Sequence, residues 1–150
     1  MALAKYLKGV QLLIQVGDGA DPEVFAHPCL INASRGINIT AETNDIKVPD
    51  CSDPDLMAWL VREKTAVSAT IDGAGVLNTP DTEIYFNWVK SSAAKNIRIN
   101  LNGVSGANGG GRINGVFHLT QFQLQGDRGD LVQCTIKMDS TGELTWTDAS

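Results

Sequence analysis

Positive charge and histidine are both scarce in this chain. Twelve Lys and Arg stand against 17 Asp and Glu, a net charge of −5, and His27 and His118 are the only histidines. A chain so balanced has no basic footprint for gripping nucleic acid, although a surface past which DNA moves without sticking is compatible with it. Cysteine is limited to Cys29, Cys51 and Cys134, an odd and widely spaced set. A disulfide framework favours an even count in a shorter chain, so these read as reduced thiols of a protein made and kept in the cytoplasm. Long apolar runs are missing too: no window approaches the roughly 18 residues of a membrane span. The opening MALAKYLKGVQLLIQVGDGA places Lys5 and Lys8 ahead of an apolar stretch. Gly9, Gln11 and Gln15 interrupt that stretch and no A-x-A-like site follows, so neither a secretory signal nor a membrane anchor is expected.

What is present is glycine and alternation. Fifteen glycines against five prolines in 150 residues suit the tight turns of a β-rich fold, and the length suits one domain, residues 1–150, with a core of its own. The pattern predicts a strand over Gly9 to Val16, a second over Val24 to Ala33, and a third opening at Ile37. Residues 43–64 read as a long loop or a short helix, with Asp53 as N-cap and Pro54 at the first helical position. Alternation returns from Thr65, where Gly73 and Gly75 suggest a bulge or a close backbone approach. One clear helix follows: Thr79 as cap, Pro80 next, and Ile84, Tyr85, Trp88 and Val89 on one stripe. Strands are predicted again over Asn96–Leu101 and Ile113–Gln125, with a change of phase at Gly115 that implies a bulge. The stretch LVQCTIKMDSTGELTW, Leu131 to Trp146, reads as a β-hairpin broken at Ser-Thr-Gly. Its core side would hold Val132, Cys134, Ile136 and Met138, and its wet side Gln133, Thr135, Lys137 and Asp139.

Motifs that carry chemistry are weak throughout. The loop GANGGGR, Gly106 to Arg112, has the glycine spacing of a phosphate loop, but Arg112 and Ile113 stand where Lys and a hydroxyl are needed, and a strand follows instead of a helix. His27 and Cys29 lack the further paired ligands of a zinc site. Neither the Asp18, Asp21, Glu23 group nor the Asp50, Asp53, Asp55 group has the glycine and closing glutamate of a calcium loop. Turns and caps account for both groups, and the hairpin turn accounts for Arg128-Gly129-Asp130. No catalytic residue, metal site or cofactor is expected. Trp88 and Trp146 fit core faces, whereas Trp59 lies in LMAWLV, an apolar run that needs cover from its own domain or from a neighbour. A sugar- or peptide-binding β-sandwich monomer using Trp59 is the alternative reading, and an enzyme with His118 or His27 as base has only the histidines behind it.

Three ordered stretches, RGINITAETNDIKVPD (Arg35 to Asp50), TAVSATIDGAGVLNTPD (Thr65 to Asp81) and GDRGDLVQCTIKMDSTGELTW (Gly126 to Trp146), together resemble the major tail tube proteins of long-tailed bacteriophages. That family includes the tube subunits of related contractile and gene-transfer particles. The resemblance implies a mainly β fold, a β-sandwich or barrel-like tail tube fold with one flanking α-helix, whose strands contribute to an inner barrel in a ring. It implies a non-enzymatic virion subunit that assembles into stacked hexameric rings, the channel for DNA ejection. Its implied partners are copies of itself, the tape measure, tail terminator and tail tip proteins, and DNA as transient cargo. The long loop would reach an adjacent subunit or ring, which makes Val48, Pro49, Leu56, Met57, Trp59 and Leu60 candidates for inter-subunit contact. Lys137, if it faces the channel, is expected to be paired with an acid or turned aside.

Overall fold

A computed structural model describes residues 3–4, 6–19, 23–26, 33–101 and 103–149. His27, Cys29, Asp21 and most of the second predicted strand lie outside these residues. Among the described residues, seven strands form one antiparallel sheet: β1 (Leu12–Gly17), β2 (Phe25–Ala26), β3 (Ser34–Val48), β4 (Trp59–Val76), β5 (Lys95–Leu101), β6 (Gly111–Gln125) and β7 (Gln133–Asp148). Their order across the sheet is β2-β1-β5-β6-β7-β4-β3. The helix α1 (Thr82–Lys90) joins β4 to β5 and packs against β6. No helix among the described residues is long and apolar enough to cross a membrane.

Alternation decides which side chains meet. Ile14 on β1, Ile97 and Ile99 on β5, Phe117 and Leu119 on β6, Cys134, Ile136 and Met138 on β7, and Ala69 and Ile71 on β4 are all buried. The register places them on one face, with Ile14 opposite Ile99, Leu119 opposite Met138 and Ile71 opposite Met138. Tyr85 and Trp88 of α1 complete this core, and Tyr85 stacks obliquely on Phe122 with ring centroids 6.2 Å apart. Burying one such aliphatic or aromatic side chain stabilises the fold by about 1.5–3 kcal/mol. At the open side of the sheet, the Arg35 guanidinium of β3 donates to the Leu12 and Gly9 carbonyls, so the sheet curls until β3 meets the start of β1.

Several expectations are corrected. Residues 43–64 form neither a loop nor a helix over most of their length. β3 and β4 pair from Ser34–Ala74 to Val48–Trp59, so only residues 49–58 turn the ribbon. Ile46 and Val48 alternate with Asp45 and Lys47, and Trp59, Leu60 and Val61 are strong β-formers; ladder pairing therefore wins over the capping signal at Asp53-Pro54. The bulge in β4 falls at Thr65, not at Gly73 or Gly75, where pairing is regular. The Leu131–Trp146 stretch is not a hairpin but part of a single 16-residue strand, β7. Its Ser-Thr-Gly segment is absorbed as a bulge, because Gly142 takes a φ of +86° while β6 stays paired on both sides of it. The predicted change of phase at Gly115 is this same irregularity, since Asn114 pairs with Thr145 but Val116 with Thr141. Glycine suits this place, because a Cβ would press on the Leu144 side chain.

The helix begins later than its cap signal. Thr79–Asp81 forms a 3-10 turn, in which Asn78 Nδ2 donates to Asp81 Oδ2 at 2.7 Å, and α1 starts at Thr82. Tyr85 and Trp88 are its buried residues and Ile84 turns outward, because 3.6 residues per turn carry it to the flank of the stripe. Trp146 is about half exposed; its ring edge lies over Gly111 and its Nε1 donates to Asp148 Oδ1 at 2.7 Å. Val132 precedes the first paired residue of β7 and is also exposed, unlike Cys134, Ile136 and Met138.

Candidate assembly surfaces

The face opposite the core is wet and close to neutral. It presents Gln121, Gln123 and Gln125 of β6, opposite Lys137, Thr135 and Gln133 of β7. Further along, Asn114 of β6 pairs with Arg98 of β5 and Thr145 of β7. Side-chain amides knit this face together: Asn100 Nδ2 donates to Gln15 Oε1 at 2.6 Å, and Asn114 Nδ2 to Thr147 Oγ1 at 2.9 Å. Its bases, Arg98, Arg112 and Lys137, are interspersed with Glu42, Asp72 and Asp139. The Arg98 guanidinium stacks 3.8 Å from the Phe25 ring centroid. Lys137 stands directly opposite Asp72 in the β4–β7 register, but the ion pair found among the described residues is Arg62–Asp45, at 3.4 Å. The expected acid is thus in place beside Lys137 without a closed salt bridge. His118 stands opposite Asp139, whose Oδ1 accepts a hydrogen bond from the Thr70 hydroxyl at 3.0 Å. Sequence alone could not anticipate this neighbourhood, because its members lie on three different strands.

The second surface is the projecting end of the β3–β4 ribbon. β7 pairs with β4 only over Thr70–Val76, and Ala69 N donates to Ser140 Oγ of β7 at 2.9 Å, so residues 59–68 of β4 and their β3 partners stand beyond it as a two-stranded arm. An isolated two-stranded hairpin is marginal in water and gains from a third surface to pack on. The bulge at Thr65 resets the alternation. Beyond it, one side of the arm carries Ile46 opposite Val61 and Val48 opposite Trp59. The other side carries Asp45 opposite Arg62 and Lys47 opposite Leu60. The arm is therefore an amphipathic ribbon, apolar on one side and mostly charged on the other.

The six contact candidates read from the sequence gather at this end. Val48 closes the ladder, Pro49, Leu56 and Met57 lie in the connecting turn, and Trp59 and Leu60 begin β4. Met57 is 92% exposed and Trp59 86%. Val48, Pro49, Leu56, Met57, Trp59 and Val61 line a concavity of about 390 Å³, with Asp50 at its edge. The turn is held by its own acids: Ser52 N donates to Asp50 Oδ1 at 2.8 Å, and Asp55 N to Asp53 Oδ1 at 3.3 Å. Ile46 was missed from the sequence, although it shows its alternation with Asp45 and Lys47, and Val61, the last residue of LMAWLV, was not among the contact candidates. A second concavity, of about 420 Å³, lies beside the glycine-rich loop and is lined by Asn100, Arg112, Thr147 and Asp148 among others. The loop itself is a 3-10 turn at Gly106–Asn108, closed by Gly110 N donating to Ser105 O at 2.8 Å.

Long alternating strands, a neutral polar sheet face and a projecting apolar ribbon define a structural β protein whose distinctive chemistry is that of its surfaces. Residues 6–146 match the phage tail tube protein family, and the chain belongs to that family. The expected fold class is the one found, mainly β with one flanking helix and the tail tube fold. The fold is similar to that in the tail of an empty gene transfer agent (GTA) particle refined with C6 symmetry, at 22% identity, covering 95% of this chain and 99% of that one, with a TM-score of 0.70. The virion of the native gene transfer agent particle gives 22% identity, the same coverage and a TM-score of 0.67. The SPP1 tail tube gives 7% identity, 95% and 80% coverage, and a TM-score of 0.60. No curated protein is matched by the sequence.

Proposed function

We propose that this chain is a structural, non-catalytic subunit that assembles with copies of itself into six-membered rings, and that the rings stack into the tail tube of a virion. The observation that carries this reading is the arm: an apolar stripe on an exposed ribbon, in a family whose members form tail tubes. A monomer gains nothing from such a stripe, whereas a subunit closing on a neighbour buries it and protects the ribbon's free edges. The C6 symmetry of the similar gene transfer agent tail supports six subunits per ring. Val48, Pro49, Leu56, Met57, Trp59 and Leu60 then make the contact between subunits.

The amide- and hydroxyl-rich face is the side turned to the channel. Amides and hydroxyls stay hydrated without a net charge, so DNA passing them meets few of the counterion-releasing contacts that would hold its phosphates. Asp72 and Asp139, interspersed with Lys137, prevent a basic stripe. Tape measure, tail terminator and tail tip proteins are the partners at the tube's interior and ends, and synthesis is in the bacterial host cytoplasm. Negative-stain electron microscopy of the concentrated protein tests the reading: six-fold rings or tubes are expected, and a stable monomer at high concentration overturns it. A monomeric sugar- or peptide-binding module would instead show ligand quenching of Trp59 fluorescence with no particles.

A further inference from the structure

Resting on the reading that copies of this chain assemble, we infer that the concavity at the arm tip is a socket for the outer face of α1 in a neighbouring copy. Phe86 is the knob and Lys90 its charged flank.

The two surfaces complement each other in shape and in charge. The socket has an apolar floor of Val48, Leu56, Met57, Trp59 and Val61, and a volume of about 390 Å³, room for one aromatic side chain and its surroundings. Asp50 lines it, and Asp53 and Asp55 belong to the same turn. On α1, Phe86 is 53% exposed although it is aromatic, and Lys90 Nζ lies 5.0 Å from its ring centroid. Lys95, close beyond the helix, lies over Trp88 with Nζ 5.3 Å from the ring centroid, so this end of the helix is cationic. An aromatic knob beside cations fits an apolar socket beside aspartates, and desolvating the pair strengthens the attraction. Another exposed apolar turn, at Leu131, is flanked by Asp127 and Asp130 as well as Arg128 and would meet the socket's aspartates with like charge.

The contact is heterologous. Socket and knob are different surfaces, so each copy offers one of each; used head to tail, they carry successive copies on until a ring closes or a filament extends. A self-complementary contact would stop at a dimer.

The test uses the native Cys51 in the arm turn, which is exposed and free. In an Asn87→Cys variant, a short bis-maleimide should join Cys51 of one copy to position 87 of the next. Denaturing electrophoresis should then show a ladder of multimers, which Cys51→Ser in the same background abolishes. Assembled particles without a ladder, or with covalent dimers only, overturn the inference and leave the assembly reading intact. Failure of the unmodified protein to assemble at any concentration overturns the assembly reading itself. Phe86→Ala, at an exposed site, should raise the protein concentration needed for assembly about tenfold. An unchanged assembly threshold, with folding verified by circular dichroism, counts against the knob.

Discussion

Cys134 and Cys51 carry the same thiol in opposite surroundings, and their reactivity should differ accordingly. Burial in the apolar core of the sheet pushes the Cys134 pKa up, because an apolar environment disfavours the thiolate. Maleimide added to native protein should therefore label Cys51 and leave Cys134 unmodified until denaturant is added; mass spectrometry of the peptides reads this directly. The same shift has a sign for stability. A thiol whose folded pKa is raised contributes stability that is fully present below the unfolded value, about 8.5, and is lost as pH rises through the folded value. Urea unfolding at pH 7 and pH 10 should show Cys134→Ala less sensitive to alkali than the unmodified protein. Gly115 makes the second prediction at this scale. A Cβ there meets Leu144 and Phe117, so Gly115→Ala should destabilise by about 1–3 kcal/mol in urea titration, with no change in far-ultraviolet circular dichroism.

At the scale of elements, the single extra residue at Thr65 decides what the arm can do. Beyond the bulge it brings Val61 and Trp59 to the same side as Ile46 and Val48. Deleting Thr65 leaves the pairs from Thr43–Lys64 to Val48–Trp59 intact but removes the bend and extra twist of the bulge, which re-aims the apolar stripe. Thermal unfolding of the core should move by only a few degrees, whereas rings or tubes should disappear from electron micrographs. The strand patterns of β5, β6 and the first half of β7 were legible in the sequence, because each has one buried and one wet face and a period of two. The arm was not, because its strands have water on both sides and no core to enforce one period. Its Asp-Pro signal is a sound local cap, which longer-range pairing overrode. The Ser-Thr-Gly break in β7 was ambiguous in a similar way: glycine at positive φ serves a turn and a bulge equally, and only the partner strand β6 chose the bulge.

The whole molecule presents two surfaces with different demands. One is an adhesive arm and the other a non-adhesive sheet face, and the second depends on the balance of charge at Asp72, Asp139 and Lys137. Changing Asp72 to Lys places two cations opposite each other in register and leaves a basic spot on every subunit. Assembled Asp72→Lys particles should retain double-stranded DNA at low salt and release it steeply as salt rises, whereas particles of the unmodified protein should not retain it. Filter binding across a salt series measures both. Leu56, Met57, Trp59 and Leu60 were legible as part of an apolar run needing cover, but their gathering with Val48 and Pro49 at the arm tip was not, since Val48 and Trp59 meet only through the β3–β4 register.

Strand by strand, the surface chemistry follows from residue order alone. Alternation assigned Cys134, Ile136 and Met138 to a dry side and Gln133, Thr135 and Lys137 to a wet one, because successive side chains in a strand must point to opposite faces. Scarcity of basic residues argued against a nucleic-acid grip, and the ordered stretches pointed to the tail tube family. Only the tertiary structure decided which wet and dry patches are shared between strands. Strand register is a long-range property: it put Asp72 beside Lys137, His118 beside Asp139 and Trp59 beside Val48. The bulge at Thr65 then turned the arm's apolar stripe to one side, where a neighbouring surface can cover it.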